Sequence, residues 1–546
     1  MKNSFFSLVL ILTSTALLCP IITALPGLVR AADAADALPR HTIALSFDLE
    51  KSMLSGTSRI DLPENIPLAL HCGPLTITGA ILEQQNQTPL RIKANPENII
   101  RLNPGPHSRT LFLSWTMRVD NPFTSGNLIS KKGITLTGFW HPMPEQDMLY
   151  TLSATLPPTF TGISEGEHIS TTSRDGHRRF KATSPYPLKG LHFAAGPYSV
   201  QSRNYKNITI YSYFFAEDSH LAADYLRKTA GYIKRFEALI GPFPYGRYSI
   251  VENRLPTGYG MPGFTLLGQA VIRLPFIKDT SLGHEVLHSW FGNSIGIADN
   301  SGNWCEGLTS YLADQSFAGD LNRATQYRKH QLLQYEAYVH SDNTMPLSAF
   351  SGAGDNQPMA KAIRAIGYDK GSMVFHMLNR NIGDAAFFRG LRELYMRKKN
   401  QRASWQDLEE AFSKAAGKDL QPFFNQWLTR TDIPKLNIQN VTVDQEDGQS
   451  VIKFHLVQEN KQPYALQVPI VVKTLEGETQ KVFSVNQPDQ EFNIRTKTLP
   501  TEIIMDPDYA VFRALTEKEI TPTWSRFLGA EQKTIILPDD KARAAI

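Results

Sequence analysis

The chain has 546 residues, 42% of them hydrophobic and 20% charged, with a formal net charge of +4. That length exceeds a single compact core and calls for about two to four domains. So small a charge gives no support for nucleic-acid binding or for a strongly basic membrane surface.

The chain opens with Lys2, an apolar run from Phe5 to Leu18, and the small residues Ala31, Ala32 and Ala34. This pattern is that of a secretory signal over residues 1–32 with an A-x-A-like cleavage site, so a periplasmic or extracellular protein is expected. The competing reading is an uncleaved membrane anchor, because apolar residues continue to about Val29, although Pro20 and Pro26 interrupt them. No later segment is long and apolar enough to span a bilayer. Of three cysteines, Cys19 falls in this leader, and Cys72 and Cys305 lie far apart, which excludes a disulfide framework.

Residues 33–203 read as a mostly antiparallel β domain. Residues 41–49 alternate apolar and polar, residues 150–156 do so again, and Asp175-Gly176 marks a turn between such runs. From Asp218 the period changes: Leu221, Tyr225, Leu226, Ile233, Phe236 and Leu239 fall at helical spacing, stopped by Gly241-Pro242. Helical signals dominate to about residue 433, with an extended stretch near 248–274 that contains Gly258, Gly260 and Gly263. Ser404 and Asp407 suggest a capping box, with Gly417 ending that helix. Residues 434–512 return to alternation with turns at Asp447-Gly448 and Glu476-Gly477, as in a small β-sandwich, and 513–546 form a tail without clear period.

The chemistry concentrates at His284-Glu285-Val286-Leu287-His288. Two histidines four apart project from one helix face, so their rings converge on a single ion, and Glu285 is placed to act on water beside it. Catalytic zinc takes three protein ligands and keeps a fourth position open. Glu306 is the natural third ligand, since Asp299 is the only other carboxylate between it and His288. A loop containing Gly296, Asn300, Ser301 and Gly302 would lead to a second helix capped by Asn303 or Ser301. Cys305 points about 100° away from Glu306 on such a helix and reads as a packed thiol. The expected cofactor is one Zn2+ per chain, and the expected reaction is hydrolysis of an amide with Glu285 as base. An oxyanion donor worth roughly 3 kcal/mol is also required, which composition does not identify.

The runs HEVLHSWFGN and NWCEGLTSYLAD resemble the M1 family of zinc metallopeptidases, the gluzincins that include aminopeptidase N and the leukotriene hydrolase. Weaker collinear matches are Leu-Ser-Gly-Thr at 54–57, Gly-Pro-Phe-Pro at 241–244, Tyr-Asp-Lys-Gly at 368–371 and Phe-Phe-Asn-Gln-Trp at 423–427. The resemblance implies a multidomain α+β protein: a saddle-like N-terminal β domain, a thermolysin-like, mostly helical catalytic domain at 204–433, and the small C-terminal β-sandwich. It also implies that Tyr368 is the oxyanion donor. Peptides or proteins are the implied substrates, and the activity is aminopeptidase-like.

Two departures qualify that likeness. Seventeen residues separate His288 from Glu306 where the family usually has eighteen, so the glycine-rich loop must absorb the difference. The family's Gly-Ala-Met-Glu-Asn strand, whose glutamate holds the substrate's free amine, is matched by Tyr259-Gly260-Met261-Pro262-Gly263. Pro262 supplies neither charge nor N–H. The backbone at Gly260 and Met261 remains a candidate edge for an extended peptide, and Glu252 a candidate substitute for the missing carboxylate. Two further readings stay open: a non-catalytic zinc-containing module that captures peptides, and a hydrolase of another bond, such as an epoxide or ester. Oligomeric state is not encoded in these patterns.

Overall fold

The computed structural model describes residues 38–520 except 85–87 and 353–358, together with 522 and 524–530. The leader expected at 1–32 lies outside the described residues, as does most of the tail. Among the described residues no helix is long and apolar enough to cross a membrane.

The N-terminal region is built on an eight-stranded sheet whose centre runs Leu149–Leu156, Arg40–Asp48, Met53–Leu62, Arg109–Arg118. Its period-two sequences bury alternate residues, among them Ile43, Leu54, Ile60, Leu111 and Leu113. One pairing departs from the expected antiparallel pattern: Arg40–Asp48 runs parallel to Leu149–Leu156. Gly56 permits the Trp115 ring to lie flat across its strand, where a Cβ would come within 2.2 Å of the indole. A four-stranded sheet containing Gly133–Leu136 and Phe193–Gly196 packs beneath.

A second sheet of five strands opens the middle region, in the order Tyr198–Tyr205, Ile208–Phe215, Arg247–Asn253, Phe264–Gly268, Gly258–Met261. The strand Tyr198–Tyr205 pairs along its whole length with Ile208–Phe215, so a domain boundary at 203/204 would cut a continuous ladder. Helix Ala222–Leu239 covers the sheet with Tyr225, Leu226, Ile233 and Phe236 buried, as the helical spacing required. Helices then follow to Gln421–Thr429, including Trp405–Ala416, whose Ser404–Asp407 capping box and left-handed Gly417 are both present.

Residues from Leu436 form two three-stranded sheets, Leu436–Glu446, Gln449–Gln458 and Asp489–Thr496 against Gly477–Val485, Leu466–Thr474 and Pro500–Met505. Phe454, Phe483 and Phe492 interlock between them, with ring centroids 4.7–6.2 Å apart. Asp447 and Gly448 both have positive φ, 49° and 75°, the geometry of a tight hairpin turn. The molecule is therefore multidomain α+β: β-rich start, helical middle, β-sheet end. Arg513 is fully buried between Asp506 and Glu519 at 3.0 and 2.7 Å.

Candidate metal and catalytic site

Helix Ser281–Leu287 buries Leu282, Val286 and Leu287, which turns His284 and His288 to the opposite side. Gly283 admits the Phe317 ring at the back of this helix, where a Cβ would meet it at 2.5 Å. Each imidazole is fixed by its Nδ1. His284 Nδ1 donates to Asp314 Oδ2 at 2.9 Å, and His288 Nδ1 donates to the Phe291 carbonyl at 3.1 Å. Those donations leave both Nε2 atoms directed forward, and each Nε2 stands 3.5 Å from the same Glu306 Oε2.

The donor atoms of His284, His288 and Glu306 all lie within 4.8 Å of one another. Zinc held by nitrogen and oxygen at about 2.0–2.2 Å in a tetrahedron sets neighbouring ligand atoms roughly 3.3–3.5 Å apart. Both Nε2–Oε2 separations match that edge. Cys305 faces the other ring nitrogen, with Sγ 3.3 Å from His288 Nδ1 and 3.0 Å from the Phe291 carbonyl, so it packs behind the histidine and is no ligand.

Glu306 is delivered by helix Cys305–Thr309, whose start is tied down by Asn303 Oδ1 accepting from the Cys305 N–H at 3.0 Å. The loop before it uses left-handed Asn300 (φ 59°) and Gly302 (φ 77°). Immediately after Glu306, Gly307 lies against Gly371: a Cβ on Gly307 would come within 2.7 Å of the Gly371 backbone. This glycine-to-glycine crossing brings the helix carrying Glu306 onto the segment carrying Tyr368. The Tyr-Asp-Lys-Gly run, weak as a sequence signal, thus has a packing reason for its glycine.

Tyr368 occupies a π-helical turn, Ala365–Lys370, ahead of helix Gly371–Ile382. Its ring lies 6.5 Å from that of His284 and nearly parallel to it. Burial, then the nearby Glu306, push its pKa upward, so the hydroxyl keeps its proton and remains a donor.

Electrostatics favour a cation here. Burial alone would lower the pKa of His284, yet Asp314 and then Glu306 outweigh it and raise it to about 10. Burial would raise Glu306, but His288 and His284 hold it well below the ordinary carboxylate value. Glu285 is shifted upward, chiefly by burial, with His288 and His284 opposing. Its side chain lies beside Gly260, where a Cβ would meet Glu285 Oε2 at 2.9 Å. Only glycine lets the edge strand Gly258–Met261 approach this closely.

Asp314 was not among the residues singled out from sequence, and its spacing explains why. Eight residues on a regular α-helix turn about 800°, which leaves Asp314 about 80° out of line with Glu306. Residues Ser310–Gln315 form a π-helical segment, and its extra residue per turn brings Asp314 back to the same histidine.

The expected substrate edge is partly different from its reading. Met261 is 6% exposed, packed among Ile163, Tyr213, Val251 and Phe264, so only its backbone is available to a peptide. The Gly260 carbonyl accepts from Asn293 Nδ2 at 3.2 Å. Pro262-Gly263, with Gly263 at φ 80°, makes the turn joining the edge strand to Phe264–Gly268. Glu252 does not replace the missing carboxylate. It is fully buried, accepts from the Phe215 N–H at 2.7 Å and Gln269 Nε2 at 2.8 Å, and faces Asp218.

Known proteins show the same arrangement of sequence and fold. Residues 279–427 match the peptidase family M1 domain. The chain is 24% identical over 272 residues to the mitochondrial aminopeptidase 2 of Saccharomyces cerevisiae, covering 47% of this chain and 28% of that protein. It is 30% identical over 176 residues to the aminopeptidase N of Lactococcus lactis, covering 29% of this chain and 19% of that protein. The matched stretches thus span about a fifth to somewhat over a quarter of these relatives' own lengths. A crystal structure of Legionella pneumophila aminopeptidase A in complex with aspartic acid superposes with a TM-score of 0.69 at 14% identity, covering 90% of this chain and 60% of that one. The fold is shared over most of the chain, and the stretch that matches the peptidase family M1 domain contains the histidine pair and its partner glutamate.

Proposed function

We propose that this chain is an exported zinc-dependent peptidase of aminopeptidase-like type. The observation that carries the reading is the convergence of three donor atoms within 4.8 Å of one another, both histidine–glutamate separations at tetrahedral spacing, each histidine fixed through its far nitrogen, with Glu285 alongside. Export rests on the N-terminal apolar run and its small-residue site.

His284, His288 and Glu306 would hold one zinc ion. When bound, zinc polarises the scissile carbonyl and lowers the pKa of water toward about 7. Glu285 accepts the proton of the attacking water and delivers it to the leaving amine nitrogen. Burial pushes its carboxyl above the ordinary value, which favours accepting a proton. Tyr368 donates its hydroxyl to the oxygen that gains charge as the carbonyl becomes tetrahedral. Asp314 keeps the His284 ring in the orientation that presents Nε2. The backbone of Gly258–Met261 offers an extended peptide an edge beside Glu285.

The test combines metal analysis with product mapping. Purified protein should carry one zinc per chain, and Glu285→Gln should keep the metal while turnover falls about 10²–10⁴-fold. Mass spectrometry of products from a peptide pool with matched free and acetylated amino termini decides the mode of attack. Cleavage of the free set alone establishes an aminopeptidase; cleavage of both sets means that Pro262 has removed amine selection. Full turnover by Glu285→Gln would refute the mechanism.

A further inference from the structure

Arg364 ends helix Ala360–Arg364, one turn before Tyr368. Its guanidinium lies 4.2 Å from the centroid of the Tyr368 ring. The side chain is exposed, and among the described residues no carboxylate lies within ion-pair distance of it. Arg273, Arg402 and Arg430 behave otherwise, each paired with Asp218, Asp147 and Asp432 at 2.6–2.8 Å. The Asp369 carboxyl, next to Tyr368, feels the charge of Arg364, but burial outweighs that and pushes it up to about 7.

A guanidinium stacked on an aromatic ring is held flat, and its N–H donors point outward in the plane. That fork matches a carboxylate bidentately. The ring it rests on belongs to the tyrosine that faces Glu306 and runs parallel to His284. Glu285, Glu306 and Asp314 surround the metal position with negative charge, so an anionic substrate needs a compensating cation nearby. Arg364 supplies one on the Tyr368 side of the site, whereas Gly258–Met261 flanks Glu285 and His288.

We propose that Arg364 is a specificity-determining residue that binds a substrate carboxylate close to the scissile bond, selecting peptides with an acidic side chain or a free C-terminal carboxylate there. This rests on the peptidase reading above. The zinc-loaded enzyme is assayed on three peptides of equal length: a neutral peptide amide, the same peptide with a free C-terminus, and the amide with Glu replacing Gln beside the cleaved bond. Binding of the same three is measured calorimetrically on zinc-loaded Glu285→Gln, with and without Arg364→Gln. Wild type is expected to favour at least one acid-bearing peptide by about tenfold or more in kcat/KM, the range of a charge-assisted hydrogen bond. The arm that shows it identifies the source of the carboxylate. Arg364→Gln should bring the ratio to about one, Arg364→Lys should keep part of it, and raising salt should reduce it in wild type. Absence of any preference in turnover and binding, or its survival in Arg364→Gln, overturns the proposal. If no peptide is cleaved, the peptidase reading fails, and the binding ratios still decide the role of Arg364.

Discussion

Glu306 and Glu252 are two carboxylates buried within the same catalytic half, and their surroundings drive them in opposite directions. Glu306 faces two imidazoles and is held charged, well below its ordinary pKa. Glu252 faces Asp218, and burial first, then that neighbour, raises it to about 7. The first belongs to a group of atoms spaced for an ion. The second shares its oxygens with Phe215 N–H and Gln269 inside the sheet and has no opening to substrate. Burial alone therefore does not mark a functional acid; the charge and reach of what it faces does.

The comparison breaks most visibly at the metal. Glu306→Gln should lose stoichiometric zinc, measured by mass spectrometry of the metal, and with it peptide turnover; full retention of metal would remove Glu306 from the ligand set. Tyr368→Phe should keep the metal and lower kcat by about 10²–10³-fold with little change in KM, the loss expected for an oxyanion donor. A drop in KM-dependent binding alone would instead make it a packing residue. Asp314→Asn should weaken zinc affinity by roughly 10–100-fold in competition with a chelator, because the His284 ring loses its charged anchor.

Glu252→Gln should show the smallest effect, and only in stability. Glu252 is protonated in the folded chain up to about pH 7, whereas in the unfolded chain it releases its proton near its ordinary value of 4.5. Its contribution is present in full below about pH 4.5 and is lost as pH rises toward 7. Glutamine cannot ionise, so the Tm of the variant relative to wild type should climb by about 2 °C or more between pH 5 and pH 8. Zinc content should not change. A selective rise in KM for peptides with a free amine would contradict the structure and restore Glu252 as an amine anchor.

Much of the fold was legible because period and chemistry repeat locally. Strands at 41–49 and 150–156, helix Ala222–Leu239, and the Ser404 cap are each decided by which residues alternate, recur or terminate within one element. The parallel pairing of Arg40–Asp48 with Leu149–Leu156 was not legible, since register between distant strands leaves no mark in either one. Nor was the pairing of Tyr198–Tyr205 with Ile208–Phe215, because a strand's sequence does not name the sheet that receives it.

The sequence by itself determined the ligand types and their order: two imidazoles one helical turn apart, a neighbouring acid, and a third donor beyond a glycine-rich loop. Those follow from the fixed geometry of a helix turn and the short menu of zinc ligands. Only the tertiary structure decided that Asp314 anchors His284, that Gly307 meeting Gly371 carries Tyr368 to Glu306, and that Glu252 is spent inside the sheet. Each of these depends on a π-helical turn, a close helix crossing or a neighbour far along the chain, and no local pattern encodes contacts of that kind.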